Sequence, residues 1–136
     1  MKKGIIAALL GIGLTVGAVQ TQAHHSFAAE FDADQPIKLT GIVTNVEWTN
    51  PHVWFYINVV DEETGEVTNW GAEHGPPHGL QRRGWRRNTL AIGEQVTVEG
   101  FLARNGSPRV NARNVTLAAT GGAPGETLDA DSSINQ

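Results

Sequence analysis

The chain has 136 residues, enough for one domain of ordinary size. It contains no cysteine, which excludes a disulfide framework, a thiolate metal site and a cysteine nucleophile. Its 14 acidic residues outnumber its 10 basic residues, and a net charge of −4 does not suit a protein that holds nucleic acid through phosphate contacts.

Residues 1–23 have the three regions of a secretory signal peptide. Two lysines give a basic start, residues 4–19 form an uncharged apolar run, and Thr21-Gln22-Ala23 offers small residues at the cleavage positions. The run is short and no stop-transfer pattern follows, so we expect cleavage and no stable membrane insertion after processing. The sequence thus predicts a periplasmic or secreted protein that begins at His24, with 8 basic residues, 14 acidic residues and a net charge of −6.

Five strand-like runs lie between an N-terminal arm and a polar tail. The arm covers residues 24–36 and has Phe27 and Phe31 as apolar anchors, and the tail, residues 119–136, is predicted to be disordered. The apolar patterns predict strands over residues 37–48, 52–60, 67–73, 95–102 and 109–118. A short helical crossover over residues 78–90, with Leu80 and Trp85 as packing residues, separates the third strand from the fourth.

This order of elements predicts an all-β fold. A five-stranded OB-like barrel over residues 37–118, closed at one end by the crossover, fits the order best, and a five-stranded sandwich is the alternative. In the first strand the apolar positions change parity at Ile42, next to Gly41. A glycine at such a change predicts a β-bulge or a sharp coil of the strand there.

The second strand begins beside a predicted tight turn at Asn50-Pro51. Alternation along this strand separates two faces. The core face comprises Val53, Phe55, Ile57 and Val59, and the opposite face comprises His52, Trp54, Tyr56 and Asn58. Because a solvated strand does not need this imidazole and these rings, we expect the function to lie near the second face.

Four motifs resemble those of a family of small secreted bacterial proteins of unknown function. They are His24-His25-Ser26-Phe27, the segment from Glu47 to Trp54, Asn69-Trp70-Gly71, and Arg82-Arg83-Gly84-Trp85. The resemblance implies an envelope location and a compact β domain, and it implies no activity. The predicted fold is also similar to that of small periplasmic OB-fold proteins, which is a likeness of fold alone.

The predicted mature N-terminus suggests a metal site. His24 would carry a free α-amino group beside its imidazole, and the two nitrogens can chelate one ion. An imidazole from His52 would complete a three-nitrogen site suited to copper(II), and His25 is a competing ligand. Zinc fits less well, because no ligand set with zinc spacing is present. His74, with Glu73 and His78, is a weaker candidate, and simple solvation of the two N-terminal histidines is the alternative interpretation.

Aromatic residues form a second candidate site. Trp48, Trp54, Tyr56 and Trp70 could bind a small molecule or a protein partner in the envelope. The alternative is that some of these rings cover an open end of the barrel.

A third feature is basic: four arginines lie in the segment 82–87. They could bind an acidic partner, anionic lipid headgroups or phosphate. Alternatively they pair with carboxylates of the chain itself, and this interpretation is favoured.

Catalytic patterns are weak, since the serines lie in no nucleophile elbow and the chain has no phosphate-binding or dinucleotide motif. The sequence therefore predicts a non-enzymatic envelope protein that binds metal, copper in the first place. The alternative is a binding module that uses its aromatic face without metal, and an oxidative copper enzyme is third.

Overall fold

The computed structural model describes residues 27–118 and 127–129, which form mostly antiparallel β-sheet with two short helices. The elements are α1 (Phe27–Glu30), β1 (Phe31–Glu47), β2 (Trp54–Val60), β3 (Val67–Glu73), α2 (Pro77–Arg82), β4 (Gln95–Ala103), β5 (Arg109–Leu117) and β6 (Thr127–Asp129). The predicted all-β class is confirmed. In the described ranges no helix has both the length and the apolar character needed to span a bilayer.

The first five strands pair in a cycle. Strand β1 lies between β2 and β4, β2 also pairs with β3, and β4 also pairs with β5, all antiparallel. A short parallel pairing joins β3 to β5, with Gly71 beside Arg109 and Glu73 beside Asn111. Each of these five strands therefore has a partner on both sides.

The core lies inside this cycle, and the predicted core face of β2 contributes to it. Phe55 and Ile57 of β2 are fully buried, as are Val98 of β4 and Val110 of β5. Helix α2 begins with a proline at its first turn, where the missing N–H has no intrahelical role, and it brings Leu80 into the core. Trp85, just after α2, is only 2% exposed, so the predicted packing role of the crossover is confirmed.

The predicted bulge exists, but its predicted position is wrong. The register of β1 against β2 shifts between Val43 and Asn45, not at Gly41. Ile42 is 41% exposed and Val43 is buried, so the change of parity falls after Val43. Gly41 has a different role: a β-carbon there would lie 2.5 Å from the Asn58 carbonyl oxygen, so the close approach of β2 requires glycine.

Two boundaries differ from the prediction at the chain ends. Strand β1 begins at Phe31, within the segment predicted as an extended arm, because Phe31 pairs with Ala103 of β4. Residues 127–129, predicted to belong to a disordered tail, form β6 against β5. The predicted signal peptide and the remainder of the predicted tail lie outside the described residues.

Candidate functional site

His52 and Glu73 form an ion pair at the start of β2. The imidazole Nδ1 of His52 contacts the Glu73 carboxylate oxygen Oε1. Strand pairing explains this side-chain contact. Glu73 lies opposite Trp54, and His52 precedes Trp54 by two residues on the same face. The His52 side chain is 36% exposed, whereas that of Glu73 is 8% exposed. The pair thus links a buried carboxylate to an imidazole that solvent can reach.

The pair changes the protonation of His52. The hydrogen bond to Glu73 raises the pKa of His52 above its ordinary value, against an opposing effect of burial, and the charges of Glu73 and Glu30 add to the rise. With Nδ1 held by a carboxylate, Nε2 is the nitrogen that remains for another partner. A carboxylate behind an imidazole in this way is the usual support of a metal-binding histidine.

The described part of the N-terminal arm, from Phe27 onward, lies on the same outer surface as this pair. Phe31 is 3% exposed, and Phe27 stacks on it with ring centres 6.0 Å apart. Phe27 also meets Phe101 of β4 edge to face at 5.6 Å, and the Arg113 guanidinium lies 5.0 Å from the Phe27 ring centre. The two predicted apolar anchors of the arm are therefore in contact with the sheet.

Arg104 holds the arm by polar contacts. Its Nε donates to the Ala28 carbonyl oxygen at 2.8 Å, and its main-chain N–H donates to the Glu30 carbonyl oxygen at 2.9 Å. Its guanidinium also lies 3.3 Å from the Asp32 carboxylate. These contacts of Arg104 have no local signal in the sequence, because they depend on the pairing of the start of β1 with the end of β4.

Two of the predicted metal ligands, His24 and His25, lie outside the described residues. Within residues 27–118 and 127–129 no group of three or more His, Asp or Glu side chains is arranged to hold a metal ion. Of the three preferred ligands, His24, His25 and His52, the structure therefore defines the surroundings of His52.

His74, the weaker candidate, lies inside the domain and not on the outer surface with His52. It is fully buried, with its ring centre 4.6 Å from that of Phe55 and 4.7 Å from that of Trp85. Burial lowers the pKa of His74 to about 3, so the imidazole is neutral. Neither of its nitrogens has a hydrogen-bond partner within the described part of the chain. His78, by contrast, is exposed on α2.

The four predicted aromatic residues divide into three groups. Trp54 and Tyr56 lie half-buried on the outer face of β2, as predicted. Trp48 is 9% exposed and belongs to the core, so its ring is not part of the outer surface. Trp70 lies opposite the fully buried Ile57 and packs against the core, so it faces away from Trp54.

The arginine segment makes contacts with main-chain carbonyls. Arg86 donates to the carbonyl oxygens of Gln81 and Trp85 at 3.0 and 2.7 Å, and Arg87 donates to that of Trp48 at 3.4 Å. These contacts attach the crossover to itself and to the turn after β1. The pairing of this segment with carboxylates, which the sequence favours, stays a prediction.

A comparison with protein families gives one match. The family model described as "Family of unknown function (DUF6152)" matches residues 12–111, which include the His52–Glu73 pair and both outer aromatic residues. The chain belongs to this family. No curated protein matches the chain. Membership in DUF6152 accords with the expected resemblance to a family of unknown function, and it assigns no activity to the site.

Proposed function

We propose that this chain is an envelope metal-binding protein that holds copper(II) through the α-amino group and imidazole of a processed His24 and the imidazole of His52. The supporting observation is the contact of Glu73 with His52 Nδ1, which leaves Nε2 to face a metal. Three nitrogen donors suit copper(II) better than zinc, which favours four ligands in a tetrahedral set. His25 is the alternative second imidazole.

The path of the arm supports this proposal. Phe27 lies over Phe101, Phe101 is registered with Asn111, and Asn111 is registered with Glu73. Two steps between neighbouring strands, about 10 Å, lead from Phe101 to Glu73, whose carboxylate contacts His52. Three residues of extended chain, the separation of His24 from Phe27, also reach about 10 Å. The charge of Glu30 already acts on His52, so the end of α1 lies on the correct side of the sheet.

Two further parts of the proposal concern processing and fold. We propose that cleavage after Ala23 delivers the mature chain to the periplasm, since residues 1–23 have the pattern of a signal peptide. We also propose that the β domain is an OB-like barrel. The cycle of pairings among β1 to β5, with a short helix between β3 and β4, supports this assignment.

The test is a copper(II) titration of secreted, processed protein, followed by electron paramagnetic resonance. Intact mass must first establish that the chain begins at His24. We expect His24→Ala and His52→Ala each to weaken copper binding about tenfold or more. His78→Ala is the matched control, since it removes an exposed histidine from α2 and should leave the affinity unchanged.

Two results would contradict the proposal. Equal affinity in wild type and His52→Ala would remove the strand histidine from the site. Unchanged affinity after one extra residue is placed ahead of His24 would remove the α-amino group. Loss of binding in His25→Ala with none in His52→Ala would select the alternative ligand.

A second candidate function is recognition on the outer aromatic surface, without metal. The convergence of Trp54 and Tyr56 over Gly71 favours it, and these residues do not depend on His24.

A further inference from the structure

Trp54, Tyr56 and Gly71 form one continuous surface across β2 and β3, which we call the aromatic platform. Tyr56 lies opposite Gly71, and Trp54 lies opposite the next outward residue, Glu73. A β-carbon at Gly71 would lie 3.4 Å from Cζ3 of Trp54 and 3.4 Å from Cε1 of Tyr56. Both rings therefore lean over the glycine, and no side chain from β3 separates them.

One end of the aromatic platform carries a cation and the other an anion. The Arg109 guanidinium lies 5.4 Å from the centre of the Trp54 ring, brought there by the parallel pairing of Arg109 with Gly71. The Tyr56 hydroxyl donates to Glu47 Oε2 at 3.4 Å, and burial and the Glu47 charge raise the pKa of Tyr56, so this phenol keeps its proton. The positive charge of Arg109 and the negative charge of Glu47 therefore offset each other across the platform.

Side-chain amides continue the polar edge of the aromatic platform. Asn45 Nδ2 donates to Glu47 Oε1 at 3.4 Å. Asn69 Nδ2 donates to Asn58 Oδ1 at 2.8 Å and lies 3.1 Å from the Thr44 hydroxyl oxygen. Amides and hydroxyls both donate and accept hydrogen bonds, so this edge can match a ligand whose own groups do both.

We propose that the aromatic platform binds a neutral oligosaccharide. A sugar ring has an apolar C–H face that packs on an aromatic ring, and its hydroxyls donate and accept hydrogen bonds in the plane around that face. The balanced pair of Arg109 and Glu47 gives no preference for a charged ligand. The net charge of −4 opposes binding of a polyanion such as nucleic acid.

This proposal does not rest on metal binding, although the two sites adjoin. Glu73 is the neighbour of both, since it bonds to His52 and lies opposite Trp54 in the strand register. A sugar bound on the aromatic platform would contact Trp54 beside Arg109 and leave the Glu73 contact with His52 intact. Chelation of metal should therefore not change the affinity for sugar.

The experiment titrates the processed protein with two soluble neutral probes, cellohexaose and chitohexaose, in the presence of a metal chelator. Isothermal calorimetry gives the affinity, and saturation-transfer NMR identifies the sugar protons that touch the protein. We expect Trp54→Ala and Tyr56→Ala each to weaken binding of at least one probe about tenfold or more. Trp54→Phe retains an aromatic face and should restore most of the affinity.

Ile92→Ala is the matched control, because Ile92 is a 71% exposed apolar residue in the turn before β4, outside the platform. Circular dichroism and thermal unfolding establish that each variant is folded, and Tyr56→Ala and Trp54→Phe carry the test if Trp54→Ala does not fold. The proposal is overturned if neither hexasaccharide binds. It is also overturned if binding survives both platform substitutions, or if a single-stranded oligonucleotide binds more tightly than either sugar.

Discussion

Glu73 bonds to His52 through Oε1 while its other oxygen, Oε2, is buried with no hydrogen-bond partner among the described residues. A buried carboxylate with one oxygen unsatisfied is costly, and its pairing with an imidazole offsets part of that cost. The same contact decides which nitrogen of His52 remains available. The pair is therefore both a structural contact between β2 and β3 and the chemical basis of the candidate site.

The first prediction concerns Glu73→Gln, which removes the charge and keeps the shape. We expect the pKa of His52 to fall in this variant, as measured by NMR titration of the imidazole protons. Because the native pKa of His52 is raised, the pair stabilises the fold fully below the unfolded value of 6.5 and loses that effect as pH rises through the native pKa.

The cost of Glu73→Gln in free energy of unfolding should therefore be larger at pH 5.5 than at pH 8.5. His78→Ala gives the comparison for loss of an exposed histidine. An equal cost of Glu73→Gln at both pH values would show that the charge of the pair has no part in stability.

The second prediction concerns the buried imidazole of His74. Its native pKa of about 3 lies below the unfolded value of 6.5, so the unfolded chain binds a proton that the folded chain does not. The contribution of His74 to the free energy of unfolding is fully present above pH 6.5 and falls as the pH drops toward 3. Between pH 7 and pH 5 we expect His74 to contribute a loss of about 2 kcal/mol.

The variant His74→Phe tests this prediction, since Phe55 and Trp85 already surround the position with rings. Urea unfolding at pH 7 and pH 5 should show a smaller loss in the variant than in the wild type. An equal loss of unfolding free energy between pH 7 and pH 5 in both proteins would mean that another group causes the acid sensitivity.

The sequence predicted much of the fold because the strands of the domain alternate clearly. Strand β3 was predicted over its full length, and β2, β4 and β5 were predicted to within two residues. The position of the bulge was not predictable, since the apolar pattern of β1 fits a shift at Gly41 as well as one after Val43. Burial in the structure distinguishes the two positions, because Ile42 faces solvent and the shift therefore falls after Val43.

The candidate site was predicted less completely, for reasons of register. Trp54 and Trp70 are both aromatic residues of adjacent strands, and which face each occupies depends on how β2 and β3 align. The structure pairs Trp70 with Ile57 and Trp54 with Glu73, which puts the two tryptophans on opposite faces. Arg109 reaches Trp54 through the parallel pairing of β3 with β5, a contact with no local signal in the sequence.

The third prediction concerns Arg104→Ala, which removes the side-chain fastening of the arm and keeps the main-chain bond to Glu30. If the arm carries a copper ligand, loosening it should weaken copper binding about tenfold, the equivalent of about 1.4 kcal/mol. Amide hydrogen exchange at Phe31 should quicken in the same variant. Arg82→Ala, an exposed arginine of α2, is the control and should change neither quantity.

Copper affinity that is unchanged in Arg104→Ala, with faster exchange at Phe31, would separate the arm from the metal site. Unchanged exchange would instead show that the packing of Phe31 alone holds the arm.

The last prediction compares two glycines of the sheet. A β-carbon at Gly41 would lie 2.5 Å from the Asn58 carbonyl oxygen, which cannot move without shifting β2, whereas one at Gly71 would lie at ordinary contact distance from two side-chain rings. We therefore expect Gly41→Ala to destabilise the fold by about 1–3 kcal/mol, as overpacking against backbone does. Gly71→Ala should cost much less in the same urea unfolding experiment. The reverse order would mean that the rings of the aromatic platform are held more rigidly than the backbone of β2.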